Sequence, residues 1–191
     1  MFIAWADVPL PTADSSAKTF LIIQPAEVPG RKVPSSPKFI IMASTIRVTK
    51  QFDFEIAHAL WNYDGPCSNL HGHSYRLFVT ITGSPIRDIN HPKNGMVMDF
   101  GDLKQLVQEE IVDPLDHAVI LNSAAVNKHM ENIAQMFEKQ YIVDYQPTCE
   151  NLIVDFARRI SGRLPSGLTL HNLKLHETAT SYAEWYAADN Q

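Results

Sequence analysis

Three histidines in the first half of the chain are spaced for metal chemistry. His71-Gly72-His73 follows His58 by 13 and 15 positions. On an extended strand, side chains two residues apart share a face and lie roughly 6.6 Å apart along the chain. Two imidazoles placed this way can converge on one ion at Zn–N distances of about 2.0–2.1 Å. On a helix they would diverge. Gly72 is expected to leave the space between the rings open. His58 ends the preceding alternating run in the parity of its apolar members, so an antiparallel neighbour brings it to the same spot. Three imidazoles leave a fourth zinc position open, as catalytic sites require. Imidazole also serves copper, iron and nickel; zinc is the favoured ion. The competing explanation is three ordinary histidines hydrogen-bonded in a polar cleft.

Such a site needs a strand pair to position it. From Thr45, Ile46, Val48, Phe52, Phe54 and Ile56 share one parity, and Arg47, Thr49, Gln51, Asp53 and Glu55 the other. This predicts a half-buried strand. Residues 74–82 repeat the pattern through Tyr75, Leu77, Val79 and Ile81, and Gly83-Ser84-Pro85 breaks it. Asp99 reads as an N-cap, with Phe100, Leu103, Leu106, Val107 and Ile111 on one helical face and Pro114 as its end. A sparser pattern predicts a helix near 124–138. Thr148 caps another, with Leu152, Ile153, Phe156, Ala157 and Ile160 inward and Gly162 and Pro165 stopping it. Residues 168–177 and 180–187 read as closing strands. The order predicts an α+β domain, an antiparallel sheet with helices on one face.

Length and composition narrow the function classes. The chain has 191 residues, 45% of them hydrophobic, with a formal net charge of −5. An acidic chain with no basic patch argues against nucleic-acid binding, while a few Lys or Arg can still build a pocket for an anionic small molecule. Two cysteines, Cys67 and Cys149, are too few for a disulfide scaffold. They are read as reduced in a cytoplasmic protein. No apolar run reaches the roughly 18 residues that span a bilayer. Half of the 12 prolines fall in residues 1–41, which are expected to form a loosely ordered extension, with the domain proper at 42–191 and Met42 as a candidate natural start.

Several ordered motifs resemble the 6-pyruvoyl-tetrahydropterin synthase family. They are Phe54-x-x-x-His58, then Tyr63-Asp64-Gly65-Pro66-Cys67-Ser68-Asn69-Leu70-His71-Gly72-His73-Ser74-Tyr75, Gly95-Met96-Val97-Met98-Asp99-Phe100, Leu115-Asp116-His117, Pro147-Thr148-Cys149-Glu150-Asn151-Leu152 and Glu177-Thr178. Together they span about residues 46–186. The compact Cys67-x-x-Leu70-His71-Gly72-His73 stretch is most similar to the 6-carboxytetrahydropterin synthase branch of queuosine biosynthesis. The resemblance implies the tunnelling fold (T-fold), a four-stranded antiparallel sheet with two or more helices on one face. It also implies a hexamer-like homo-oligomer whose subunits pool their sheets into a barrel, with active sites at subunit interfaces.

Carried over by position, His58, His71 and His73 would hold Zn²⁺ and Cys67 would be the general base. Asp116 and His117 would complete the proton relay, and Glu177 would anchor the pterin through its paired N–H groups, with Thr148 assisting at the ring. Residues alone favour plainer roles for some of these. Asp116-His117 reads as a helix-ending turn, Thr148 as a cap, Glu177 as a solvated charge, and Cys67 as an inert thiol. Adjacent residues on an extended chain point apart, so Asp116 meets His117 only in a tight turn, or else the relay uses Cys67 of another subunit. The resemblance implies the latter. Arg76, Lys93 and Lys128 are available for a triphosphate. The implied reaction is zinc-dependent conversion of 7,8-dihydroneopterin triphosphate to 6-carboxy-5,6,7,8-tetrahydropterin, releasing acetaldehyde and triphosphate. The alternatives are 6-pyruvoyl-tetrahydropterin synthesis by triphosphate elimination alone, and a non-catalytic pterin- or metal-binding module. Cys149 is expected to line the site without doing chemistry, and residues 122–146 depart from the compact family pattern.

Overall fold

The computed structural model of the protein describes residues 44–125 and 136–190. The proposed extension at 1–41 and most of the helix expected near 124–138 lie outside them. Lys128 does too.

The two alternating runs form a long antiparallel hairpin, β1 (Ile46–His58) and β2 (His71–Gly83). Their register sets His58 directly opposite His71. Phe52, Phe54, Ile56, Tyr75, Leu77, Val79 and Ile81 are buried on one face. Arg47, Thr49, Gln51, Asp53 and Glu55 are exposed on the other. Pairing saturates the backbone, and the period-two pattern decides which face turns inward. The first turn of the pattern departs from expectation: Ile46 is exposed and Val48 only partly buried.

Asp99 caps α1 (Phe100–Val107), accepting from the Gly101 amide at 2.7 Å. Leu103, Leu106 and Val107 face the sheet, but Phe100 is half exposed at the first helical position. Pro114 does not end the helix. A π-helical turn, Gln108–Val112, leads into a short helical turn, Asp113–Leu115, that contains the proline. The Glu110 carbonyl, four residues before the proline and deprived of its amide, accepts instead from Arg159 Nη1 at 3.4 Å.

The strands β3 (Ala118–Asn122) and β4 (Gln140–Val143) were not foreseen. Ala118, Val119, Ile120 and Leu121 are all buried, the continuous apolar signature of a strand covered on both faces rather than an alternating one. Residues 136–138, at the end of the expected helix, are not helical, and Lys139 directly precedes β4. Thr148 caps α2 (Cys149–Ser161), accepting from the Asn151 amide at 3.3 Å. Leu152, Ile153, Phe156, Ala157 and Ile160 are buried as expected. β5 (Thr169–His176) and β6 (Tyr182–Tyr186) close the chain.

The sheet order is β4-β3-β1-β2-β5-β6. The antiparallel core β1-β2-β5-β6 matches expectation, while β3 and β4 extend it in parallel, so the sheet is mixed and six-stranded. Residues from α1 and α2 share one core cluster with the inward faces of β1, β2 and β5. Among the described residues no helix is long and apolar enough to cross a membrane.

Candidate active site

His58, His71 and His73 converge at the end of the β1–β2 hairpin, with candidate ligand atoms all within 4.8 Å of one another. The hydrogen bonds of two of them fix their tautomers. His58 Nδ1 donates to the Pro147 carbonyl at 2.6 Å and His71 Nδ1 to the Asn69 carbonyl at 2.8 Å. A carbonyl can only accept, so each ring, when neutral, carries its proton on Nδ1 and keeps a lone pair on Nε2. These two Nε2 atoms face each other at 3.2 Å. Two lone pairs at that distance repel unless a cation lies between them. Tetrahedral bonds of 2.0–2.1 Å place two nitrogens roughly 3.3–3.4 Å apart, so the His58–His71 pair is spaced for a zinc-sized ion and His73 is near enough to serve as a third ligand. The backbone partners are the orienting contacts that ligand histidines require. Burial holds His58 below the ordinary imidazole range, partly offset by the Pro147 bond, which keeps it in the neutral, ligating form.

Gly72 does not act as expected. Its substituent would point to the opposite face, where a Cβ would approach the Ile56 carbonyl oxygen at 3.2 Å. Glycine permits close approach of β1 to β2 there and has no bearing on the room between the rings.

Glu177 joins the cluster from the end of β5. One carboxylate oxygen, Oε1, lies 3.8 Å from both His58 Nε2 and His73 Nε2. It also accepts from Tyr75 Oη at 3.0 Å. Burial and the Glu177 charge push the Tyr75 phenol far above its ordinary value, so Tyr75 stays a donor. In the alternating run Tyr75 reads as a core residue. Its place two residues beyond His73, in the same parity, was the available signal. Buried Cys149 lies behind this group, its thiol donating to the Leu175 carbonyl at 3.4 Å. Burial and Glu177 raise it to about 12. It therefore lines the site as a neutral thiol.

Of the remaining site candidates, His117 lines a cavity of about 290 Å³ together with His73. Asp116 and His117 form a clamp on Glu55 of β1. The Glu55 amide donates to Asp116 Oδ1 at 2.9 Å, and the His117 amide to the Glu55 carbonyl at 2.7 Å. His117 adopts φ +60°, a left-handed conformation that costs about 1–2 kcal/mol in a non-glycine residue. That turn folds His117 Nδ1 back to 3.0 Å from Asp116 Oδ1. The tight turn is thus how the adjacent pair meets. The Glu55 amide, with His117 adding, holds the Asp116 carboxyl below its ordinary value. Lys139 Nζ secures the turn by donating to the carbonyls of Asp113 and Asp116, each at 2.6 Å.

Cys67 occupies a one-turn 3₁₀ helix, Pro66–Ser68, and is partly exposed. Among the described residues its thiol makes no hydrogen bond to Asp116 or His117. Its loop is tied down elsewhere. The Leu60 amide donates to the Cys67 carbonyl at 2.8 Å, and Gln146 makes two bonds with the backbone of Trp61, at 2.7 and 3.0 Å. An apolar cavity of about 540 Å³, lined by Leu60, Trp61, Tyr63, Leu70, Leu121 and Phe137 among others, adjoins this loop. None of the three histidines nor Glu177 lines it. Thr148 contacts its own helix as cap. Arg76 is paired with Asp53 and Lys93 with Asp102.

Comparison with known proteins agrees with this geometry. The family model described as 6-pyruvoyl tetrahydropterin synthase matches residues 47–188. The 6-carboxy-5,6,7,8-tetrahydropterin synthase of Haemophilus influenzae is 37% identical over 145 residues, 73% of this chain and 97% of that protein. The Homo sapiens 6-pyruvoyl tetrahydrobiopterin synthase is 30% identical over 144 residues, 69% of this chain and 85% of that protein. Among solved structures, the Caenorhabditis elegans 6-pyruvoyl tetrahydropterin synthase has a TM-score of 0.54 at 21% identity, covering 76% of this chain and 97% of that one. With the T-fold sheet and the histidine cluster in place across the matched span, the chain belongs to the 6-pyruvoyl tetrahydropterin synthase family and is a tetrahydropterin synthase.

Proposed function

We propose that this enzyme is a zinc-dependent carbon–carbon lyase of queuosine biosynthesis. It converts 7,8-dihydroneopterin triphosphate and water to 6-carboxy-5,6,7,8-tetrahydropterin, acetaldehyde and triphosphate. The observation that carries a metal reaction is the facing pair of Nε2 lone pairs at 3.2 Å. The choice of branch is supported by the relative from Haemophilus influenzae, which bears the 6-carboxy name and shares 37% identity.

When bound to His58, His71 and His73, zinc would supply Lewis acidity toward side-chain oxygens of the substrate. The protein's own groups do the rest. Glu177 accepts from the paired N–H groups of the pterin and fixes its orientation. Cys67 removes a proton from the substrate side chain. His117, oriented by Asp116, carries protons to and from the reacting oxygens. Thr148 keeps the end of α2 in place beside the ring. Since Cys67 and the Asp116-His117 turn share no hydrogen bond within one chain, the relay is completed between copies in a homo-oligomer.

Mass spectrometry of the products from zinc-loaded protein and 7,8-dihydroneopterin triphosphate tests this reading. A 6-carboxy product with acetaldehyde is expected. A 6-pyruvoyl product would transfer the chain to the other branch, which the similarity to the Homo sapiens protein supports. Absence of any turnover with zinc bound would favour a binding module.

A further inference from the structure

Tyr75 follows His73 on the inward face of β2 and is only 1% exposed. Its ring stacks on Phe54 with centroids 6.0 Å apart. It also meets His73 and His58 edge-on at 5.8 and 6.4 Å. Ring packing alone would be served equally by phenylalanine. The hydroxyl is spent on one contact, the 3.0 Å bond to Glu177 Oε1. That oxygen is the same one that lies 3.8 Å from two candidate metal ligands.

A glutamate in this position has two competing uses. A carboxylate oxygen is a good zinc ligand, and a short swing would carry Oε1 toward an ion held by the histidines. A carboxylate captured in this way would close the fourth metal position and lose its orientation toward the pterin. We infer that Tyr75 is a positioning residue whose hydroxyl holds Glu177 for the pterin N–H edge and away from the metal's open position. This rests on the reading of Glu177 as pterin anchor.

The test uses Tyr75→Phe in the full-length, zinc-loaded protein, beside Glu177→Gln and the double variant, with 7,8-dihydroneopterin triphosphate as substrate. Losing a hydrogen bond to a charged group is expected to raise KM about 10-fold. kcat should stay within about threefold and zinc content should be unchanged. Because Tyr75 acts through Glu177, the double variant should be no worse than Glu177→Gln alone. In cobalt-substituted protein without substrate, Tyr75→Phe should alter the visible absorption as the freed carboxylate binds the ion. The double variant should not show that change. Tyr75→Phe with unchanged KM and an unchanged cobalt spectrum, while Glu177→Gln raises KM, overturns the positioning role. Glu177→Gln with unchanged KM removes the anchor itself, and the inference with it. Should Tyr75→Phe fail to fold, Glu177→Asp replaces it. Shortened by one methylene, it cannot reach hydroxyl and pterin together, so an unchanged KM would equally overturn the proposal.

Discussion

At the scale of single residues, the site is governed by where protons sit. Both His58 and His71 spend Nδ1 on a carbonyl, which commits both Nε2 lone pairs to the same small volume. His71→Ala removes one of three ligands, and inductively coupled plasma mass spectrometry after dialysis should show zinc falling from one per chain to a small fraction. Cys67→Ala touches none of these atoms. It should lower kcat by about 10²–10⁴, the usual contribution of a positioned base, and leave zinc bound. Equal loss of zinc would make Cys67 a fourth ligand instead. The distinction between the two cysteines is also local. Cys149 is buried beside Glu177 and held as a thiol, whereas Cys67 is partly exposed in its loop.

At the scale of elements, one connection joins parts of the site and a second secures α2. Gln146 ties its side chain to the Trp61 backbone while Asn151 Nδ2 donates to the Gln146 carbonyl at 2.9 Å. The loop bearing Cys67 is thereby joined to the segment whose Pro147 carbonyl orients His58. Gln146→Ala should lower kcat more than zinc affinity, with faster alkylation of Cys67 by iodoacetamide as the direct readout. The second connection is Asp155 on α2, which is buried and accepts from Arg158 Nη2 at 2.6 Å and Tyr145 Oη at 3.0 Å. It also pairs with Arg159 at 2.5 Å. Burial alone would raise its pKa, but the two arginines win and hold it below the ordinary carboxylate value. A depressed folded-state pKa means the unfolded chain binds the proton more tightly. The stabilisation is therefore complete above about pH 4 and is lost as pH falls through the folded value. Asp155→Asn should cost about 3 kcal/mol, read as a Tm lowered by roughly 10 °C at pH 7. The deficit should shrink in acid.

At the scale of the whole molecule, the members of the proposed relay are held by different parts of the chain. The Asp116-His117 turn is clamped to Glu55, while Cys67 is held by Leu60 and by the Gln146 contact with Trp61. If copies share sites, Cys67→Ala and His117→Ala subunits, each inactive alone, should recover activity after co-refolding. Random assortment would make about a quarter of such interface sites intact. No recovery from verified mixed oligomers would place the relay within one chain.

Much of this was legible in residue order. The period-two runs decided the hairpin and its buried face, Asp99 and Thr148 marked two helix starts, and His-Gly-His on a strand announced the histidine cluster. Each of these signals is local, set by side-chain alternation, capping chemistry or spacing along an extended backbone. Tertiary structure decided what depends on distant partners. The burial of Ala118–Leu121 on both faces erased the alternation that would have revealed β3. The carbonyls of Pro147 and Asn69 chose the histidine tautomers. Contact across 102 positions joined Tyr75 to Glu177, and the Glu55 clamp held His117 in the left-handed turn that brings its ring to Asp116. Hydrogen bonds between remote segments leave no period in the sequence, because their geometry exists only once the sheet has brought the segments together.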